Sequence, residues 1–144
     1  MILRPLHLVF AAALLAGAAL AAEAPQPLEL RRIMQDLGRN MQTVVDGISR
    51  EDWVLVERTA PRIADHPEPP AEEKARLITY LGAEAARFRG YDRQSHDAAE
   101  QMGAAAKRRD GAAVIAAFAK VQESCLGCHE SFRGRILANF YGPR

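Results

Sequence analysis

The chain has 144 residues, enough for one compact domain and too few for two ordinary ones. Its 19 basic and 18 acidic residues give a formal net charge of +1, so no basic field draws it to nucleic acid. The sequence carries no paired carboxylates beside a nucleophile, no phosphate loop and no triad signature, so nothing in it marks a catalytic apparatus.

Arg4 precedes an apolar run of Leu, Val, Phe and Ala from Leu6 to Leu20 that ends in small residues, the pattern of an export signal. Ala19-Leu20-Ala21 satisfies the small-x-small rule for cleavage, which predicts a signal peptide over residues 1–21 and a mature chain of residues 22–144. An uncleaved anchor is the disfavoured alternative, because the run is interrupted by His7 and falls short of the roughly 20 residues a spanning helix needs. The mature chain is expected to have no membrane span and to reside in the periplasm. Cleavage removes Arg4 and no acid, leaving 18 basic against 18 acidic residues.

Beyond residue 24 the apolar residues recur at a period of 3.6 and no stretch alternates like a strand, which predicts an all-helical domain. A first helix is expected from Pro27 to Ile48, with Leu30, Ile33, Met34, Leu37, Met41, Val44, Val45 and Ile48 on one stripe. Ser49, with Asp52 three residues later, has the form of a capping box opening a second helix, whose buried face is Trp53, Val56, Ala60 and Ile63. Pro61 should kink or divide that helix. The segment Asp65 to Pro70 is a stiff connector with three prolines in four positions.

A third helix is expected from Ala71, with Ile78, Leu81, Ala85 and Phe88 inward, and a break at Gly90 and Tyr91. The pattern resumes through Ala98, Ala99, Met102, Ala105 and Ala106 and ends at Lys107, Arg108 and Arg109, cations that suit a helix C-terminus. Asp110 is placed to cap the last helix. Val114, Phe118, Val121, Cys125, Cys128, Phe132 and Ile136 continue one stripe there, and Asn139 to Arg144 should form a frayed tail. Four main helices with short connections imply an antiparallel four-helix bundle.

Cys125-Leu126-Gly127-Cys128-His129 has the spacing of covalent haem attachment. Two thiols can bond the two haem vinyl groups, and the imidazole directly after the second thiol can reach the iron on one face. Cys-x-x-Cys also serves dithiol redox enzymes and zinc sites. A dithiol site would lie at a helix N-terminus after a strand, whereas this motif lies deep in the last helix. Zinc would need further ligands, and His66 and His96 are isolated in the sequence: His66 is expected in a solvated connector, and His96 at the surface or hydrogen-bonded.

With this motif close to the C-terminus of a four-helix chain, the sequence resembles the class II c-type cytochromes, the cytochrome c′ family, most closely over Cys125 to Arg133 and in the first helix. The resemblance implies one covalent haem c, with Cys125 and Cys128 as thioether anchors and His129 as proximal iron ligand. The segment Ile33 to Met41 resembles the low-spin branch, in which a first-helix methionine fills the sixth position, and Met34 falls at the place of that ligand. The alternative is that Met34 fills the core, as methionine often does. Met41, two turns on, should pack on haem or core, and Met102 in the core. Arg133 is a candidate for binding a haem propionate or for flanking the iron pocket, with Arg31 and Arg32 as weaker propionate candidates. The region from Glu72 to Phe88 reads as a regular helix where many relatives have a longer loop.

These features imply a periplasmic electron carrier, not an enzyme, that serves unidentified redox partner proteins through a His129 and Met34 ligated iron. The alternative is an open distal face that captures nitric oxide or carbon monoxide. Relatives commonly pair through their first two helices, so a homodimer is a further expectation.

Overall fold

The computed structural model describes residues 28–142. The predicted signal peptide and the expected helix start at Pro27 lie outside the described residues. Six helices follow in order: α1 (Leu30–Ser49), α2 (Trp53–Ala64), α3 (Ala71–Leu81), α4 (Ala85–Lys107), α5 (Gly111–Cys128) and α6 (Gly134–Tyr141). A 3-10 turn, Gly82–Glu84, joins α3 to α4, and one π-helical turn, His129–Arg133, joins α5 to α6. There is no strand among the described residues. Helices α1, α2, α4 and α5 form the antiparallel four-helix bundle, with α2 against α1 and α4, and α4 against α5.

Burial of the predicted stripes holds the bundle together. Val44, Val56, Ile63, Met102, Val114 and Val121 are almost wholly enclosed, and alanines of α4 and α5 let the helices approach closely between them. A second core lies at one end of the bundle, where Leu28, Leu77, Leu81, Ala85, Phe132, Ile136 and Phe140 bury against one another. It unites the short helices α3 and α6 with the chain entering α1.

Helix ends follow local chemistry. Asp110 caps α5 as expected, its carboxylate accepting from the Ala113 N–H at 3.0 Å. Asp52 caps α2 through the Leu55 N–H at 3.0 Å. Ser49 takes no part in a capping box: it is the last residue of α1 and its hydroxyl donates to the Val45 carbonyl at 2.8 Å. Pro61 neither divides α2 nor ends it, since it lies in the last turn with an exposed ring and its carbonyl still accepts from Asp65.

Other departures are larger. The break expected at Gly90 falls at Gly82, whose φ of +54° ends α3 in a conformation that favours glycine, while Gly90 continues α4. Glu72 to Phe88 is therefore two helices rather than one. The C-terminal residues expected to fray are helical through Tyr141, because Phe140 is buried and the Tyr141 hydroxyl donates to the Leu28 carbonyl at 2.7 Å. On α1, Val45 leaves the expected stripe and is 48% exposed, being turned about 100° from the fully buried Val44.

Met102 has no exposed surface and sits where α2, α4 and α5 meet. Met102→Ala is expected to lower unfolding free energy by about 2–5 kcal/mol, read by chemical denaturation, through lost burial and the cavity left behind.

Candidate functional site

A cavity of about 540 Å³ opens where the two cores meet. Its walls are apolar for the most part: Leu30 and Leu37 of α1, Leu77 and Ile78 of α3, Phe88 of α4, Phe132 of the π turn and Ile136 of α6. Its size and lining suit one bound organic group. Met34, Cys125, Cys128, His129 and Arg133, which the sequence singled out, all line this one cavity.

The cysteines reach it because α5 changes role along its length. Val114 and Val121 face the main core, and Cys125 packs against that core while Cys128 packs against the second. Both are free thiols, each half-buried. Burial raises both pKa values, and for Cys128, aided by Cys125 and Asp92, the pKa rises to about 11. Gly127 has a steric role: a Cβ there would lie 2.7 Å from the Tyr91 ring, which also lines the cavity.

The helix then loosens into the π turn beginning at His129. Both His129 and Arg133, at the two ends of that turn, border the cavity. Partial enclosure, and secondarily the Arg133 charge, lower the His129 pKa. The ring is thereby neutral at neutral pH, with a nitrogen lone pair to offer a metal.

The methionines separate by environment. Met102 is wholly buried and Met41 packs on the main core, whereas Met34 is 39% exposed, belongs to neither core and borders the cavity from α1. Of the arginines, Arg31 lines the cavity with its guanidinium 5.4 Å from the Tyr141 ring centre, and Arg89 joins it. Arg32 instead pairs with Glu29 and Asp36 along α1.

His66 corrects its expected place. It is only 18% exposed, lines the cavity, and is held between the Pro67 carbonyl and the Asp92 carboxylate, each at 3.1 Å. The sequence could not reveal this pair, since the partners are 26 residues apart. His96 bonds the Ala64 carbonyl at 3.0 Å and takes no part in the cavity wall. Tyr91 and Arg87 were also not singled out: Arg87 donates to Ser131 at 2.8 Å and to Tyr91 at 3.4 Å, and bonding to Ser131 and then Arg87 lowers the Tyr91 pKa.

The residues present fit a covalently held haem. Two free thiols one turn apart and an imidazole in the next turn border an apolar cavity, and Arg31, Arg89 and Arg133 on its wall could meet carboxylates.

The His66 and Asp92 pair has a pH signature. The bond to Asp92 raises the His66 pKa above its ordinary 6.5, and the same bond lowers that of Asp92 below 3.8. The histidine's stabilisation is full below pH 6.5 and is lost as pH rises through its folded pKa; the aspartate's is present above 3.8 and is lost as pH falls through its folded pKa. Asp92→Asn is expected to bring the His66 titration midpoint back toward 6.5 by NMR and to flatten stability against pH above that value.

Comparison with curated proteins and with solved structures gave no match. The family model described as Cytochrome C′ matches residues 29–133, a span that runs from the start of α1 to the end of the π turn and includes the whole Cys125 to His129 motif. The chain therefore belongs to the cytochrome c′ family, c-type cytochromes that hold haem c covalently.

Proposed function

We propose that the protein is a periplasmic electron carrier whose single haem c is bonded to Cys125 and Cys128 and ligated by His129 and Met34. The observation that carries the reading is the position of Met34: neither core uses it, and it lines from α1 the cavity that His129 lines from the π turn. A thioether that served only packing would lie where Met41 and Met102 lie.

The haem supplies the one-electron ferric and ferrous couple. The chain's residues do the rest. His129 is kept neutral, the form that can donate to a metal. Met34 provides a soft ligand, which raises the reduction potential relative to a more basic one. With His129 and Met34 both held on the bundle, the site would change little between oxidation states, so the rearrangement accompanying each electron would be small. Arg133 and Arg31 offer charge-assisted bonds to propionates. Phe88, Leu77 and Ile78 exclude water from the cavity interior. Export by residues 1–21, docking to redox partner proteins and pairing into a homodimer belong to the same proposal. No described helix is long and apolar enough to cross a membrane.

One observation favours the gas-binding alternative: the Met34 side chain is 39% exposed and free of core packing, so it could yield the sixth position to nitric oxide or carbon monoxide. Optical spectra separate the two readings. The haem-loaded protein is expected to be low-spin in both oxidation states and to bind carbon monoxide only weakly when ferrous, and Met34→Ala is expected to be high-spin and to bind it tightly. A high-spin wild-type protein that binds carbon monoxide would establish the gas-binding reading.

The apolar cavity also makes the fold depend on its occupant. Cys125→Ala combined with Cys128→Ala is expected to lose the cooperative thermal melt of the haem-loaded protein. A sharp, unchanged melt would refute this dependence.

A further inference from the structure

We propose that Glu73 is a positioning residue for the iron site: reaching from α3, its carboxylate holds the first turn of α1 in place and so sets where Met34 stands. This rests on Met34 as an iron ligand, the reading given above.

Helix α1 begins without a cap of its own, since the side chain of Glu29 at that position accepts no bond from the helix amides. The missing acceptor comes from a residue 44 positions away. The Glu29 N–H donates to Glu73 Oε2 at 2.6 Å, and the Leu30 N–H to Glu73 Oε1 at 2.8 Å. Both oxygens of a carboxylate only 9% exposed are thus committed to one helix terminus, where the aligned peptide dipoles favour negative charge. The Tyr141 hydroxyl, donating to the Leu28 carbonyl at 2.7 Å, fixes the same turn to α6. Leu28 itself is buried in the second core.

The consequence falls on Met34. It lies four residues after Leu30, one turn or about 6 Å along the axis. Because its side chain has no place in either core, packing around the thioether does not determine its position. What remains is the backbone of α1, which rests on α2 farther along and meets α5 at few points. At the cavity end the buried side chains of Leu28 and Ile33 pack this segment, and the polar contacts of Glu73 and Tyr141 hold the backbone groups of its first turn. The role is one of placement: neither residue is proposed to touch the metal.

The test uses the full-length haem-loaded protein with Glu73→Gln, Glu73→Ala and Tyr141→Phe, and Met34→Ala as reference. Three quantities are read: the ferric spin state, the apparent affinity of the ferrous form for carbon monoxide, and amide exchange in the first turn of α1. Losing a charge-assisted bond should weaken the hold on the methionine about tenfold to a hundredfold, and carbon monoxide affinity should rise by the same factor in Glu73→Ala. Glu73→Gln, which keeps one acceptor, should fall between that variant and wild type. Tyr141→Phe, which keeps the ring, should shift the same way by less and covers the case in which Glu73→Ala fails to fold.

In the Met34→Ala background, Glu73→Ala should change neither the spectrum nor the affinity. Faster exchange in the first turn with an unchanged spin state and affinity would overturn the proposal and leave a cap of structural importance only. A further spectral change in the Met34→Ala background would overturn it too, since Glu73 would then act by another route. A wild-type spectrum already equal to that of Met34→Ala would remove Met34 as ligand and this proposal with it, an outcome visible without any Glu73 variant.

Discussion

The register of α5 governs the site, because one helical face must first fill a core and then open onto a cavity. From Val114 to Val121 that face is buried in the main core with residues of α1, α2 and α4, and hydrophobic burial fixes the rotation of the helix. Once that rotation is set, Cys125 and Cys128, one turn apart, have no freedom over which way they point. A slip of one residue would turn them by about 100° and take both thiols off the cavity. The main core thus does chemical work at a distance, by aiming two side chains it does not itself contain.

An unbroken α-helix would carry the same face straight on. The π turn at His129–Arg133 inserts a change of phase before Phe132 and Ile136 enter the second core. That turn falls where the imidazole must serve the cavity while the ring three residues later is buried in the second core. Phe132 meets Phe88 edge-on at 5.5 Å between centres, with the Arg87 and Arg135 guanidinium groups against its ring. This aromatic cluster closes one side of the cavity and gives α6 something to pack upon.

The second core also explains how so neutral a chain builds a polar rim. Helices α3 and α6 are short and would be marginal in isolation, so tertiary contact stabilises them. They return the favour through polar atoms, with Glu73 and Tyr141 satisfying backbone groups at the start of α1, and Tyr80 donating to the Arg135 carbonyl at 3.1 Å. On the facing wall, His66 and Asp92 join the proline-rich connector to α4. Each bond links elements distant in sequence, and together they frame the opening that apolar packing leaves.

Much of this was legible in the residue order because it is local. Periodicity showed the helical class and the stripes of the bundle, Asp110 announced its cap, and the spacing of Cys125, Cys128 and His129 pointed to haem attachment, as each depends on neighbours within a turn or two. Met34 was singled out by the resemblance of its segment to the low-spin branch, with Met41 and Met102 expected to pack, and of these three Met34 is the one that lies outside both cores. Gly82 rather than Gly90 ended α3 because only the former adopts a positive φ, a choice settled by how Leu81 and Ala85 both reach the second core. The sequence by itself determined the helical class, the bundle and the haem motif, through patterns carried by adjacent turns. Only the tertiary structure decided the π turn, the ordered C-terminal helix, the His66 and Asp92 pair and the hold of Glu73 on α1, because each arises from groups that meet only after the chain has folded.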